Sequence, residues 1–89
     1  MEKVSVIGFY KESQEQLEND IVDNEKLLYF VAFENSYVDG SKTWFEGYNV
    51  IDGHFELKDK EYLVSCQKIT KEEYLQATAG YYTPNEYIK

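Results

Sequence analysis

The chain contains one histidine and one cysteine, His54 and Cys66, so nucleophilic catalysis has a single thiol and a single imidazole to draw on. A cysteine nucleophile needs its base within hydrogen-bond reach and a third group to orient that base. Reading Lys58-Asp59-Lys60 as a tight turn pairs Leu57 with Glu61 and His54 with Val64. Cys66 then lies diagonally from His54 on the same face, roughly 7–8 Å away, beyond proton transfer. A register slip of one residue puts the two on opposite faces. Cys66 therefore reads as a small buried hydrophobe. Zinc wants four ligands, and these are two.

Asn35, Tyr37, Asp39, Gly40 and Glu46 fall at positions 1, 3, 5, 6 and 12 of an EF-hand loop. The Gly and the last Glu fit a calcium loop, but Asn at the first position and Tyr at the third supply poor hard-oxygen ligands. The flanks read as strands, so a hairpin turn followed by an exposed strand Glu46 is expected, with no metal. Acid–base pairs fare no better. Glu72 and Glu73 are consecutive on a predicted helix and point about 100° apart. Glu46 and Glu56 can face each other across the Asp52-Gly53 hairpin, although strict register sets Glu46 opposite Asp59 and Tyr48 opposite Leu57. No glycine-rich phosphate loop occurs. The expectation is a non-enzyme with no catalytic residues and no cofactor.

Surface features remain. Glu12, Glu15, Glu18, Asp20, Asp23 and Glu25 place six carboxylates in fourteen residues with no lysine among them. Residues 1–46 carry 10 acids against 4 lysines (−6), and residues 47–89 carry 7 against 5 (−2). A solvated helix perimeter explains such a run, with Leu17 and Ile21 inward and Glu15 near the positive helix start. The alternative is a negative patch for a basic partner, steering association electrostatically. Nine Tyr, five Phe and one Trp exceed what a small core needs. Tyr29, Phe30, Phe33 and Trp44 are candidates for the core. Tyr81, Tyr82 and Tyr87, past the last helix, either pack the tail down or touch a partner. A second grouping, Trp44, Tyr48 and Tyr62, would wall an aromatic sheet face for an apolar or cationic ligand.

These groups must be positioned by short elements. Val4 to Tyr10 alternates as a strand, with Val4, Val6 and Tyr10 on one face and Ser5, Ile7 and Phe9 on the other; Gly8 marks a bulge or a close backbone approach. Ser13 to Gln16 reads as a capping box opening a short helix to Val22. Leu27 to Phe33 is a continuous apolar run suited to a strand buried on both faces. Thr43 to Ile51 forms the next strand. Asp52-Gly53 predicts a two-residue type I′ hairpin. His54 to Leu57 returns, and Glu61 to Ile69 makes a last strand. Thr70 to Glu73 caps a helix over Lys71 to Ala79 with Gly80 beyond it. Thr83-Pro84-Asn85-Glu86 starts a final turn holding Tyr87 and Ile88. The class is α+β: a small, mostly meander antiparallel sheet of four to five strands, a short helix after strand 1 and a C-terminal helix, in one compact domain.

Eighty-nine residues bury roughly 60–65% of the unfolded surface, enough for one core. With 43% hydrophobic residues, the chain is too apolar for disorder despite its net charge of −8. Nine lysines without arginine argue against direct nucleic-acid binding. The longest apolar stretch, Leu27 to Phe33, is far below the ~20 residues of a membrane span, and the N-terminus lacks a signal-peptide layout. A cytoplasmic monomer or weak homodimer is expected. Lysine in place of arginine fits an AT-rich genome, and small acidic tyrosine-rich domains are common among phage and mobile-element accessory proteins. The leading expectation is an interaction protein, an inhibitor in form, whose carboxylates occupy a basic groove that normally holds nucleic-acid phosphates. The alternatives are a small-molecule-binding or sensory module and an assembly subunit.

Overall fold

The apolar run that opens at Leu27 becomes the central strand of the sheet. The computed structural model describes residues 2–12 and 25–88. Five strands, β1 (Glu2–Lys11), β2 (Tyr29–Tyr37), β3 (Thr43–Asn49), β4 (Gly53–Leu57) and β5 (Gln67–Ile69), form one sheet in the order β4-β3-β2-β1-β5, with every neighbouring pair antiparallel. One helical turn, α1 (Glu61–Val64), lies between β4 and β5, and α2 (Lys71–Ala77) follows β5. Single 3-10 turns occur at Glu25–Leu28 and Asn85–Tyr87. The α+β class and the antiparallel sheet agree with the sequence reading. The helix expected over 14–22 lies outside the described residues.

Phe30, Val31, Ala32 and Phe33 on β2 are at most 1% exposed. Successive strand residues point to opposite faces. Burial of all four therefore requires cover on both sides of the sheet. On one face Tyr10, Phe30, Ala32 and Leu57 pack with Ile7, Phe45 and Phe55 under Leu63 and Cys66 from the crossover through α1. On the other, Val31, Phe33 and Tyr48 pack with Val4, Phe9 and Val50 under Tyr87 of the tail. Tyr74 of α2, fully buried, sets its ring 5.0 Å from that of Phe9.

Gly8 does mark a bulge. Val6 pairs with Phe33 and Gly8 with Ala32, so Ile7 and Gly8 together oppose one residue. The extra residue inverts the pleat beyond it. Phe9 therefore shares the face of Val4 and Val6, and Tyr10 joins Ile7, opposite to the simple alternation expected.

Three further expectations are corrected. The hairpin after β3 has a three-residue loop, because Asn49 pairs with Gly53. In this hairpin only Gly53 takes positive φ, at +85°, so the turn is not type I′. Asn49 decides this: its Oδ1 accepts from the amides of Ile51 (2.7 Å) and Asp52 (3.2 Å), closing the loop locally. Residues 61–69 are not one strand. Asp59 Oδ1 accepts from the Tyr62 amide at 3.2 Å and starts α1, and Leu63 and Cys66 turn inward at helical spacing. The chain then crosses the sheet, and β5 pairs with β1 on the far edge. Finally, α2 ends at Ala77, two residues early, where the Thr78 hydroxyl donates to the Tyr74 carbonyl at 2.7 Å. Its start is as expected: Thr70 accepts from the Glu73 amide at 3.1 Å.

Two close fits hold the β3–β4 end. Phe55 lies directly on Gly47, its cross-strand partner; a Cβ built there would meet the ring at 2.2 Å. Gly47→Ala therefore evicts the ring, and overpacking of this kind destabilises by about 1–3 kcal/mol. A thermal melt should show a midpoint lower by roughly 10 °C; an unchanged midpoint would mean that Phe55 is not seated there. Asn49 is 5% exposed, and its Nδ2 donates to the carbonyls of Leu27 (2.7 Å) and Tyr29 (3.3 Å), tying the start of β2 to the hairpin. Asn49→Ala orphans several buried groups and should remove about 2–4 kcal/mol in urea unfolding. A loss below half a kcal/mol would show that water replaces these bonds.

Candidate functional site

The acidic segment joins β1 to β2. Glu15, Glu18, Asp20 and Asp23 lie outside the described residues, but the two ends of the segment are placed. The Glu12 amide donates to the Leu28 carbonyl at 2.8 Å. The connection therefore leaves and re-enters at one end of the sheet. Its return end is the 3-10 turn Glu25–Leu28. There Lys26 Nζ lies 5.4 Å from the centre of the Tyr81 ring, so the acidic connection re-enters beside the first of the exposed tail tyrosines.

Glu12 itself is not a free surface acid. Burial raises its carboxyl above the usual range, opposed by a hydrogen bond from the Tyr62 hydroxyl. Tyr62 is raised further above its ordinary value, first by burial and then by the Glu12 charge. Two residues assigned from sequence to different surfaces thus touch each other.

The three tail tyrosines separate. Tyr81 is 45% and Tyr82 74% exposed. Together with Leu75, Thr78 and Ile88 they line a shallow hollow beside α2. Tyr87 is buried and belongs to the core. Its ring stacks on Phe33 at 4.3 Å, and its hydroxyl lies 2.8 Å from His54 Nε2. Burial, reinforced by Glu86 and Glu46, pushes that hydroxyl up to about 12. The tail is tied down at further points: Tyr48 donates to the Tyr82 carbonyl (2.9 Å), Tyr74 meets the Thr83 hydroxyl (3.0 Å) and Lys71 Nζ donates to the Ile88 carbonyl (3.3 Å).

The aromatic wall does not assemble. Trp44 and Tyr48 share one face of β3, and Tyr48 is covered by Tyr87. Tyr62 stands on α1, which covers the opposite face. His54 and Cys66 are likewise split by the sheet, because Cys66 packs under α1 while His54 meets Tyr87. The EF-hand spacing places Asn35 and Glu46 on paired strands, so no calcium loop forms. Glu46 and Glu56 do stand directly opposite each other. Glu46 is occupied structurally: it accepts from Asn35 Nδ2 and, at 3.0 Å, from Trp44 Nε1. Asn35 Oδ1 is buried without a partner among the described residues. Sequence reasoning missed this network, though Trp44 and Glu46 at strand spacing signal a shared face.

Sequence reasoning also missed a hollow of about 620 Å³ between β4 and α1. Phe55 and Leu57 line it on the strand side, and Glu12, Asp59, Glu61 and Tyr62 on the other. Glu56 and Lys58 complete it. No metal-binding group of three ligands occurs among the described residues, and among them no helix is long and apolar enough to cross a membrane.

Glu12 gives a pH prediction. Its folded pKa lies above the ordinary 4.5, so the folded state binds more protons than the unfolded one in that window. Stability then falls as pH rises through it. Glu12→Gln, which still accepts from Tyr62, should melt at or above the wild-type temperature at pH 7, and this advantage should shrink at pH 4. If the offset between the two proteins does not move with pH, the carboxyl is not desolvated.

Comparison with protein-family models, with curated proteins and with solved structures found no match for the chain.

Proposed function

We propose that the protein is a non-catalytic binding module whose acidic β1–β2 connection, with the neighbouring exposed tyrosines, engages a basic surface of another protein. One observation carries this reading: the connection holding Glu15, Glu18, Asp20 and Asp23 is rooted by Glu12 and Leu28, and its return turn brings Lys26 against Tyr81. The described ends of the acidic connection thus lie beside exposed aromatic area. The carboxylates provide long-range attraction and orientation. Tyr81 and Tyr82 provide the desolvated contacts that slow dissociation. In its finer form the partner is a nucleic-acid-binding protein whose phosphate groove the carboxylates fill, making the module an inhibitor of phage or mobile-element type that acts in the cytoplasm. The net charge of −8 supports attraction to such a groove.

The test compares the native chain with the E15Q/E18Q/D20N/D23N variant and with Tyr82→Ala. Proteins captured on each are identified at low and high salt, and their association and dissociation rates are measured. The fourfold variant should associate about tenfold or more slowly at low salt and lose most of its salt dependence. Tyr82→Ala should chiefly accelerate dissociation, by about tenfold. Capture that is indifferent to the four neutralisations would remove the proposal. Recovery of the chain alone, as a concentration-dependent oligomer, would favour an assembly role instead.

A further inference from the structure

The geometry points to the open edge of β4 as a strand-addition site for an extended, lysine- or arginine-bearing segment of a partner protein. Among the described residues β4 is the outer strand of the sheet on its side. Its outward backbone groups form a template for a sixth strand. Proteins usually blunt such edges with proline, lysine, a bulge or extreme shortness. The far side of this sheet carries two of those devices: β5 has three residues, and β1 is bulged at Ile7–Gly8. β4, reading Gly53-His54-Phe55-Glu56-Leu57, has no proline, no lysine and an unbroken register with β3; its one carboxylate, Glu56, guards it against acidic strands and not against basic ones.

Charge chooses the occupant. The hollow beside this edge has Phe55 and Leu57 on one side and Glu12, Asp59 and Glu61 on the other. Side chains of an added strand alternate between faces, so every second one enters that hollow. A lysine or arginine there lays its apolar stem on Phe55 and Leu57 and brings its head to the carboxylates. An acidic segment would be repelled. A second copy of this chain would meet Glu56 with its own −8 charge, which disfavours edge-to-edge dimers. Lys58 at the rim reduces the attraction without reversing it. The sign of the occupant's charge rests on the basic-partner reading; the strand geometry does not.

The experiment uses the full chain, isotopically labelled, at physiological salt. The probes are an octapeptide of alternating Lys and Val with blocked ends, the same peptide N-methylated at every residue, and an octapeptide of alternating Glu and Val. The Lys-Val peptide should shift the amide signals of Gly53–Leu57 and protect them from hydrogen exchange. N-methylation, which removes the backbone donors but leaves the charge, should weaken binding by about tenfold or more. Glu61→Gln changes one exposed side chain of the hollow and should weaken the Lys-Val peptide by about threefold, with an unchanged melt. The Glu-Val peptide should not bind.

Equal affinity of the methylated and unmethylated peptides overturns the edge site. So do shifts confined to residues outside β4, or a stable dimer of the chain that protects β4. The fourfold E15Q/E18Q/D20N/D23N variant separates this outcome from the broader reading. If it retains the methylation-sensitive peptide binding while losing the captured protein, both sites stand. If it loses both peptides equally, attraction to the acidic segment alone explains them and the edge proposal falls.

Discussion

The double burial of β2 constrains everything else in this molecule. A strand with Phe30, Val31, Ala32 and Phe33 all sealed from water cannot lie at the surface of a two-layer domain. Both faces must be roofed, and little chain is left to do it. The two covers are accordingly minimal. One is a single helical turn that contributes Leu63 and Cys66. The other is a two-turn helix followed by a tail that contributes Tyr74 and Tyr87. The crossover from β4 to β5 exists because the chain must pass over one face to reach the edge beyond β1. Aromatic rings make such thin layers sufficient, since each buries a large area from one backbone position.

That economy explains what became of the tyrosines. Tyr74 and Tyr87 act as roof members whose hydroxyls still find partners, Thr83 and His54. Tyr48 is wall and anchor at once, packed on the sheet and bonded to the Tyr82 carbonyl. Tyr62 closes the crossover by holding Glu12. Exposed tyrosine is then reduced to Tyr37, Tyr62, Tyr81 and Tyr82, and Tyr81 lies beside Lys26 at the return of the acidic segment. The aromatic excess, read from composition as a single feature, divides by physical role once each ring is located.

The legible parts of the fold were those set by local chemistry. The Leu27–Phe33 run announced the central strand, Thr70 announced the start of α2, and Gly8 announced the bulge. The misread parts were those in which one residue acts at a distance. A bulge is visible in a glycine, but its consequence, Phe9 changing faces with Tyr10, requires the partner strand. Asp52-Gly53 looked like a complete turn because Asn49 is three residues upstream, where its side chain caps the loop and also reaches Leu27. Glu61 to Ile69 alternates well enough for a strand, yet Leu63 and Cys66 repeat at helical spacing just as well, and Asp59 decides between them. The candidate site was legible in its charge, since the acids are counted in the sequence, and illegible in its shape. Nothing in the sequence showed that Glu12 would face Tyr62, or that Phe55 and Leu57 would floor a hollow beside them.

The positions of the charges follow from the same constraint. Thin roofs leave little interior for ion pairs, and among the described residues the internal carboxylate contacts go to neutral donors: Glu12 to Tyr62, Glu46 to Asn35 and Trp44. Several lysines lie over rings, Lys11 on Tyr29, Lys42 on Trp44 and Lys60 on Phe45. These cations lie over aromatic faces, where each gains roughly 0.5–1 kcal/mol. A surface built this way keeps its field. A lysine over a ring keeps its charge, so the net −8 stays spread over the surface, with Glu12, Asp59 and Glu61 together at the hollow on the α1 face and Glu56 beside Glu46 on the other. The same packing that closes a small core with aromatic rings therefore leaves the acids at the surface, which is where the proposed recognition of a basic partner would need them.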